Sequence, residues 1–135
     1  MAREPKTKRT RASVSAFLDA VEDDAQRKQA RRLATLMRSV TGKRPAMWGP
    51  SIVGFGEYPS TSGPWPRAGF SPRKGSLVIY VMPGTKTVSA LLKRLGPHKT
   101  GAVCLYVKSL DEIDEGVLRD VIARGWKTMG ELHPE

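Results

Sequence analysis

The chain contains two continuous apolar runs, LVIYVM at residues 77–82 and AVCLYV at residues 102–107. Both runs are rich in β-branched and aromatic residues, and glycine or proline lies near their ends, which is typical of β-strands. Because neither run alternates cleanly between apolar and polar residues, we expect two central strands of a sheet.

Four segments outside these runs have the apolar spacing of amphipathic helices. Two precede the strands, a short one lies between them and one follows them. Ser13 and Asp23 are predicted to cap the first two helices, and Gly42 and Gly125 to end the second and the last. This order predicts an α+β fold: a small mixed sheet with helices packed on one face, two N-terminal helices and one C-terminal helix.

The N-terminal segment, residues 1–12, contains five Lys or Arg and one Glu, which accounts for +4 of the net charge of +10. It has no apolar periodicity, so we expect a disordered basic arm. The α+β domain is expected at residues 13–126, followed by a C-terminal tail at residues 127–135. The arm is either a solvated terminus or a segment that contacts nucleic-acid phosphates, and its charge alone does not decide between them.

Cysteine usage and hydropathy indicate the compartment. Cys104 is the single cysteine and has no intrachain disulfide partner, which favours a reducing environment. The N-terminal charges are not followed by the apolar segment of a signal peptide, and no stretch approaches the ~18 apolar residues of a membrane helix. We therefore expect a cytoplasmic protein without a membrane partner.

Side-chain alternation along the two strands predicts a second face of mixed character. If one set of alternate residues packs beneath the helices, period two puts the other set on the opposite face. That set contains two tyrosines, a thiol, a thioether and an amine: Val78, Tyr80, Met82, Cys104, Tyr106 and Lys108. The face is interpreted as covered by the proline-rich segment, as the lining of a pocket, or as the interface of a homodimer.

The segment GFSPRKG at residues 69–75 is the main candidate for ligand binding. A rigid proline turn there would aim hydroxyl, guanidinium and ammonium donors at a carboxylate or phosphate, and aromatic residues would supply the walls. The predicted ligand-binding residues are Trp48, Phe70, Ser71, Arg73, Lys74, Tyr80, Tyr106 and Lys108. The alternative is that the tryptophan and the phenylalanine are core residues and that the two basic residues are only turn charges.

Residues for conventional catalytic chemistry are missing from this sequence. A tight zinc or iron site requires several converging His, Cys or carboxylate ligands, whereas the chain has one Cys and two His. It contains no Gly-x-Ser-x-Gly elbow, Walker motif or dinucleotide-binding fingerprint. We therefore assign no catalytic residue and no cofactor from the sequence, and iron remains the one cofactor considered below.

Four motifs in order along the chain carry a family resemblance. They are MWGPSIVGFG at residues 47–56, GFSPRK at 69–74, LGPHKTG at 95–101 and CLYVKSL at 104–110. On these motifs the chain resembles the YdhG-like domain family from about Ser13 to Arg124. The resemblance implies a small α+β domain and leaves the activity open, because much of that family has no assigned function.

One bacterial branch of the family is described as a frataxin-like iron chaperone, so the resemblance implies weak iron binding as an alternative function. Carboxylate oxygens suit a hard cation, and the metal-binding candidates are Glu22, Asp23 and Asp24. The other interpretation of these carboxylates is that they stabilise helix N-termini. The primary prediction remains a binding module for a small anionic ligand or a protein partner, and a nucleic-acid accessory role of the basic arm is the third hypothesis.

Overall fold

The structure, a computed structural model, describes residues 8–135 of the chain. Three of its four α-helices, all but the short third one, begin at a residue whose side chain caps the first turn. Ser13 Oγ accepts a hydrogen bond from the amide of Ala16 at 3.0 Å, and Asp23 Oδ2 accepts one from the amide of Gln26 at 2.8 Å. Within residues 8–135, no helix has both the length and the apolar character needed to cross a membrane. The helices are α1 (Val14–Asp19), α2 (Asp24–Thr41), α3 (Ser89–Leu92) and α4 (Glu115–Leu132).

Six strands form one sheet and two form a separate hairpin. The strands are β1 (Pro45–Trp48), β2 (Ile52–Phe55), β3 (Tyr58–Ser60), β4 (Gly63–Trp65), β5 (Ala68–Arg73), β6 (Ser76–Tyr80), β7 (Lys99–Thr100) and β8 (Cys104–Val107). The sheet order is β1-β2-β5-β6-β8-β7, and β3 pairs with β4. The α+β class is confirmed. Every strand pair in the described residues is antiparallel, so the sheet is not the mixed one expected.

The hydrophobic core lies between the sheet and helices α2 and α4. One row of paired residues, Val53, Phe70, Ile79 and Leu105, crosses four strands, and each of the four is 0% exposed. Alternate residues share a face, so this row defines the helix-facing side of the sheet. We call the opposite side the open face. The two helices cover the core with buried residues at helical spacing: Leu33, Met37, Leu118 and Val121.

The prediction that helix α4 ends at Gly125 is wrong. The helix continues to Leu132, so most of the expected C-terminal tail is helical, and Met129 is 1% exposed. Gly125 has another role: a Cβ atom at this position would lie 2.7 Å from the carbonyl oxygen of Met82. The glycine allows the helix to approach that backbone, which is a packing requirement and not a termination signal.

The segment GFSPRKG is a strand followed by a turn, not the rigid proline turn that was predicted. Pro72 lies within β5, which pairs with β6 as far as Arg73. The pairing of β5 with β2 ends at Phe70, so the missing amide hydrogen of Pro72 interrupts no ladder on that side.

Part of the predicted disordered arm is paired with the domain. Residues 1–7 lie outside the described residues. From residue 8 onward the chain follows the outer edge of β1: the amide of Thr10 donates to the carbonyl of Met47 at 2.8 Å, and the amide of Gly49 donates to the carbonyl of Lys8 at 2.7 Å. The expectation of disorder is therefore wrong for this part of the arm, because β1 offers unpaired backbone groups that the arm satisfies.

Candidate functional site

Helix α2 holds the turn that connects β5 to β6. The side-chain amide of Gln26 donates to the carbonyl of Arg73 and, at 3.2 Å, to the carbonyl of Ser76. Gly75, with a φ of 83°, provides the left-handed residue that the turn requires. Helix α2, which packs on the core side of the sheet, thus holds the backbone of Arg73. The side chain of Arg73 extends to the open face.

Arg73 and Tyr80 meet on the open face. The guanidinium Nη2 donates a hydrogen bond to the hydroxyl of Tyr80 over 3.3 Å. The register places Ser71 and Val78 between them, and these two residues are only 0% and 3% exposed although they lie on the open face. The two long side chains thus meet diagonally across the strand pair, and Arg73 is exposed.

Tyr106 completes this group from the neighbouring strand β8. It pairs with Val78 on β6 and with Lys99 on β7, and its side chain is 39% exposed. A hydrogen bond with the thiol of Cys104 raises the pKa of the Tyr106 hydroxyl above its usual value, and the charge of Arg73 opposes this shift. We call Arg73, Tyr80, Cys104 and Tyr106 the sheet-face cluster.

The pKa shift of Tyr106 predicts a specific titration. Because the folded-state pKa is raised, the contribution of the Tyr106–Cys104 contact to stability is present below the unfolded-state pKa, about 10, and is lost as the pH rises through the folded-state value. We expect C104A to lower the pKa of Tyr106, measured by NMR titration of its ring carbons. An unchanged pKa in this variant would show that the thiol does not hold the proton on the phenol.

The basic residues of the sheet side differ from those of helix α2 in their partners. On α2, Arg27 pairs with Asp24, Arg31 with Asp19, and Arg32 with both Asp111 and Glu115. The hydrogen bonds that Arg32 donates to Glu115 and, to a smaller extent, to Asp111 raise its pKa above its usual value. Residues 58–110, in contrast, contain eight Lys or Arg and no Asp or Glu, and all eight except Arg67 are exposed.

Three of the predicted ligand residues are buried. Phe70 is 0% exposed and faces the helices, because it belongs to the row of paired core residues that crosses the sheet. Ser71 is also 0% exposed, and its hydroxyl donates to the carbonyl of Ser51 at 2.7 Å. Trp48 is 2% exposed and lies over Gly54, where a Cβ atom would be 2.6 Å from its Nε1. Phe70 and Ser71 are therefore not placed to line an exposed site, whereas Trp48 borders a groove together with Arg9 and Glu57.

Lys74 and Lys108 do not join Arg73. They line a separate groove of about 800 Å³ between the α1–α2 junction and the end of the sheet, together with Glu22 and Asp23. Arg73 and Lys74 are neighbours in sequence, and successive side chains at the end of a strand point to opposite faces of the sheet. The groove therefore combines two predicted anion-binding residues with two predicted metal ligands.

Two of the three metal candidates have other partners, and the third, Glu22, lines the groove beside Lys74. Asp23 caps α2 through the amide of Gln26, and Asp24 pairs with Arg27 and, at 3.4 Å, with Lys28. Within the part of the chain that the structure describes, no group of three or more His, Cys, Asp or Glu side chains is arranged to hold a metal ion. Asp23 and Asp24 thus stabilise the start of α2, in line with the second interpretation, and weak iron binding stays a prediction.

Sequence reasoning missed Lys99 on the open face. It belongs to a strand of only two residues, Lys99–Thr100, which is too short to show the alternation that predicts a strand. Its register position opposite Tyr106 is a long-range pairing. The one local signal is the lack of any acidic residue in the surrounding stretch, residues 58–110.

Comparison with known proteins found no match to this chain among protein-family models, curated proteins or solved structures. The resemblance to the YdhG-like family therefore stays an interpretation of its four motifs.

Proposed function

We propose that this protein is a binding module for an anionic ligand, with Arg73 as the anchoring cation on the open face. One observation carries the proposal: the guanidinium of Arg73 has a phenol hydroxyl as its partner and no carboxylate among the described residues. Its charge is therefore not neutralised, in contrast to the paired arginines of α2.

The geometry around Arg73 suits an oxyanion. A guanidinium presents several N–H donors in one plane, and one bond to Tyr80 leaves the others for a carboxylate or phosphate. The phenol hydroxyl of Tyr80 restricts the orientation of the guanidinium and adds a polar group beside it. Because no Asp or Glu occurs in residues 58–110, the local potential favours an anion over a cation.

The proposal places the protein in the cytoplasm. Its support is the free thiol of Cys104, which sits on the open face without a disulfide partner and suits a reducing compartment. An anion-binding cluster that includes a thiol is expected to keep its contacts only while that sulfur stays reduced.

Titration with inorganic pyrophosphate at low salt tests the proposal. We expect saturable amide chemical-shift changes that are concentrated in β5, β6 and β8. R73Q is expected to weaken the affinity about tenfold or more, since a hydrogen bond to a charged group contributes about 1.5–3 kcal/mol.

The matched control is R124Q, which removes the same charge from an exposed position on α4, on the other side of the core. If the net charge of +10 alone attracted the anion, both variants would weaken binding equally. Equal losses, or shifts spread over the whole surface, would contradict a site at Arg73.

A further inference from the structure

Tyr106 is unusual among the apolar and aromatic side chains of the described residues. Only Tyr106 and Leu132 are exposed large hydrophobic residues, and Leu132 lies in the last turn of α4. Tyr106 instead stands on the open face at the middle of β8, where strands pair on both sides. An aromatic side chain that is 39% exposed in this position is suited to stack on a planar group.

Cations flank this aromatic ring on both sides. Lys99 pairs with Tyr106 across β7 and β8, and Arg73 reaches Tyr80 from the other side of the face. In the order β5-β6-β8-β7, the strands that carry Arg73 and Lys99 lie three strand spacings apart, about 14 Å. The open face thus has a cation, two tyrosines and a second cation in sequence across four strands.

Charge is segregated between the two layers of the molecule. Apart from Glu57, the described carboxylates lie within residues 19–24 and 111–135, on or beside the helices. In the stretch from residue 58 to residue 110, which includes β5 to β8, the exposed charged side chains are all Lys or Arg. An extended polyanion on the open face would therefore meet no carboxylate from these strands.

We infer that the anionic ligand of the open face is single-stranded nucleic acid, with a base stacked on Tyr106 and neighbouring phosphates on Arg73 and Lys99. This inference rests on the proposed function and names its ligand class. Single strands expose the faces of their bases, and proteins bind them by combining a basic surface with aromatic stacking. A duplex hides those base faces, so stacking on Tyr106 distinguishes the two forms.

The inference is tested by fluorescence anisotropy with labelled oligo(dT) and oligo(U) of about 12 nucleotides, a length within the range of single-strand sites. The full chain is used, with a duplex of the same length as the competing ligand. We expect both single strands to bind more tightly than the duplex. R73Q and K99Q are each expected to reduce the slope of log K against log salt by about 0.7, the value for one phosphate contact on a single strand.

The aromatic contribution is measured by Y106A, which leaves the net charge unchanged. Loss of one stacked base predicts a decrease of about tenfold in oligo(dT) affinity, and Y106F should retain most of the affinity because the ring remains. L132A removes the other exposed large side chain and R124Q an unrelated cation, so both should bind as the unaltered protein does. Thermal melting of each variant shows whether the fold is intact.

Three results would overturn the inference. They are equal binding of duplex and single strands, equal effects of Y106A and L132A, and pyrophosphate binding at Arg73 without any oligonucleotide binding. The last result would leave the proposed anion site standing. If neither pyrophosphate nor an oligonucleotide bound, the proposed function would fail together with the inference.

Discussion

Replacing Gly125 by alanine is expected to lower the free energy of unfolding by about 1–3 kcal/mol, the typical cost of overpacking a tight core. In an exposed helix interior the same change would stabilise the protein by roughly 0.5–1 kcal/mol, because glycine is a poor helix former. At this position the added Cβ would lie 2.7 Å from the carbonyl oxygen of Met82, a backbone atom that cannot rotate away. Urea denaturation measures the difference.

The same helix provides a matched control. Gly130 is exposed, and a Cβ there would have no atom within 4 Å outside the helix's own backbone. G130A is therefore expected to raise stability by up to about 0.5 kcal/mol, less than at mid-helix because the residue lies near the end of α4. If G125A also stabilised the protein, the close approach of α4 to Met82 would be wrong.

Replacing Arg67 by methionine is expected to destabilise the protein by about 3 kcal/mol, through the loss of three hydrogen bonds from a buried charged group to backbone carbonyls. Arg67 is 4% exposed. Its Nε donates to the carbonyl of Glu57 at 2.8 Å, its Nη1 to the carbonyl of Met129 at 3.2 Å and its Nη2 to the carbonyl of His133. The guanidinium thus binds the C-terminal end of α4, where the helix dipole favours a positive charge.

Two measurements separate this role from a general loss of charge. Hydrogen exchange in R67M should accelerate first in the last turns of α4, near Met129 and His133, because their carbonyls lose a common donor. R124M removes an exposed arginine from the middle of the same helix and is expected to change stability by less than about 0.5 kcal/mol. Equal destabilisation by both changes would contradict the capping role of Arg67.

Local chemistry allowed much of the fold to be predicted. Ser13 and Asp23 cap α1 and α2, and Gly42 ends α2 with a φ of 71°. Each of these signals acts within about four residues, so it can be recognised without knowing the rest of the structure. The two apolar runs likewise became β6 and β8, since their composition reflects burial in a sheet.

The candidate site was predicted only in part. Alternation along each strand put Tyr80, Cys104 and Tyr106 on one side, and the register brings them together with Arg73. Alternation does not tell which face of a strand packs against the helices. It also does not tell which residues lie beside the end of a strand. For this reason Phe70 entered the predicted site although it is a core residue.

What the sequence by itself determined is the set of features that depend on near neighbours: the α+β class, the helix starts and the period-two faces of the central strands. Only the tertiary structure decided the features that depend on distant residues. From the sequence, Gly125 is predicted to end α4, whereas in the structure it lets the helix pack closely against Met82. Arg67 donates to the carbonyls at the end of α4, which reaches Leu132, from 65 positions earlier in the chain. Lys99 reaches Tyr106 through a two-residue strand. Such contacts form when the chain folds back on itself, and no local periodicity encodes their partners.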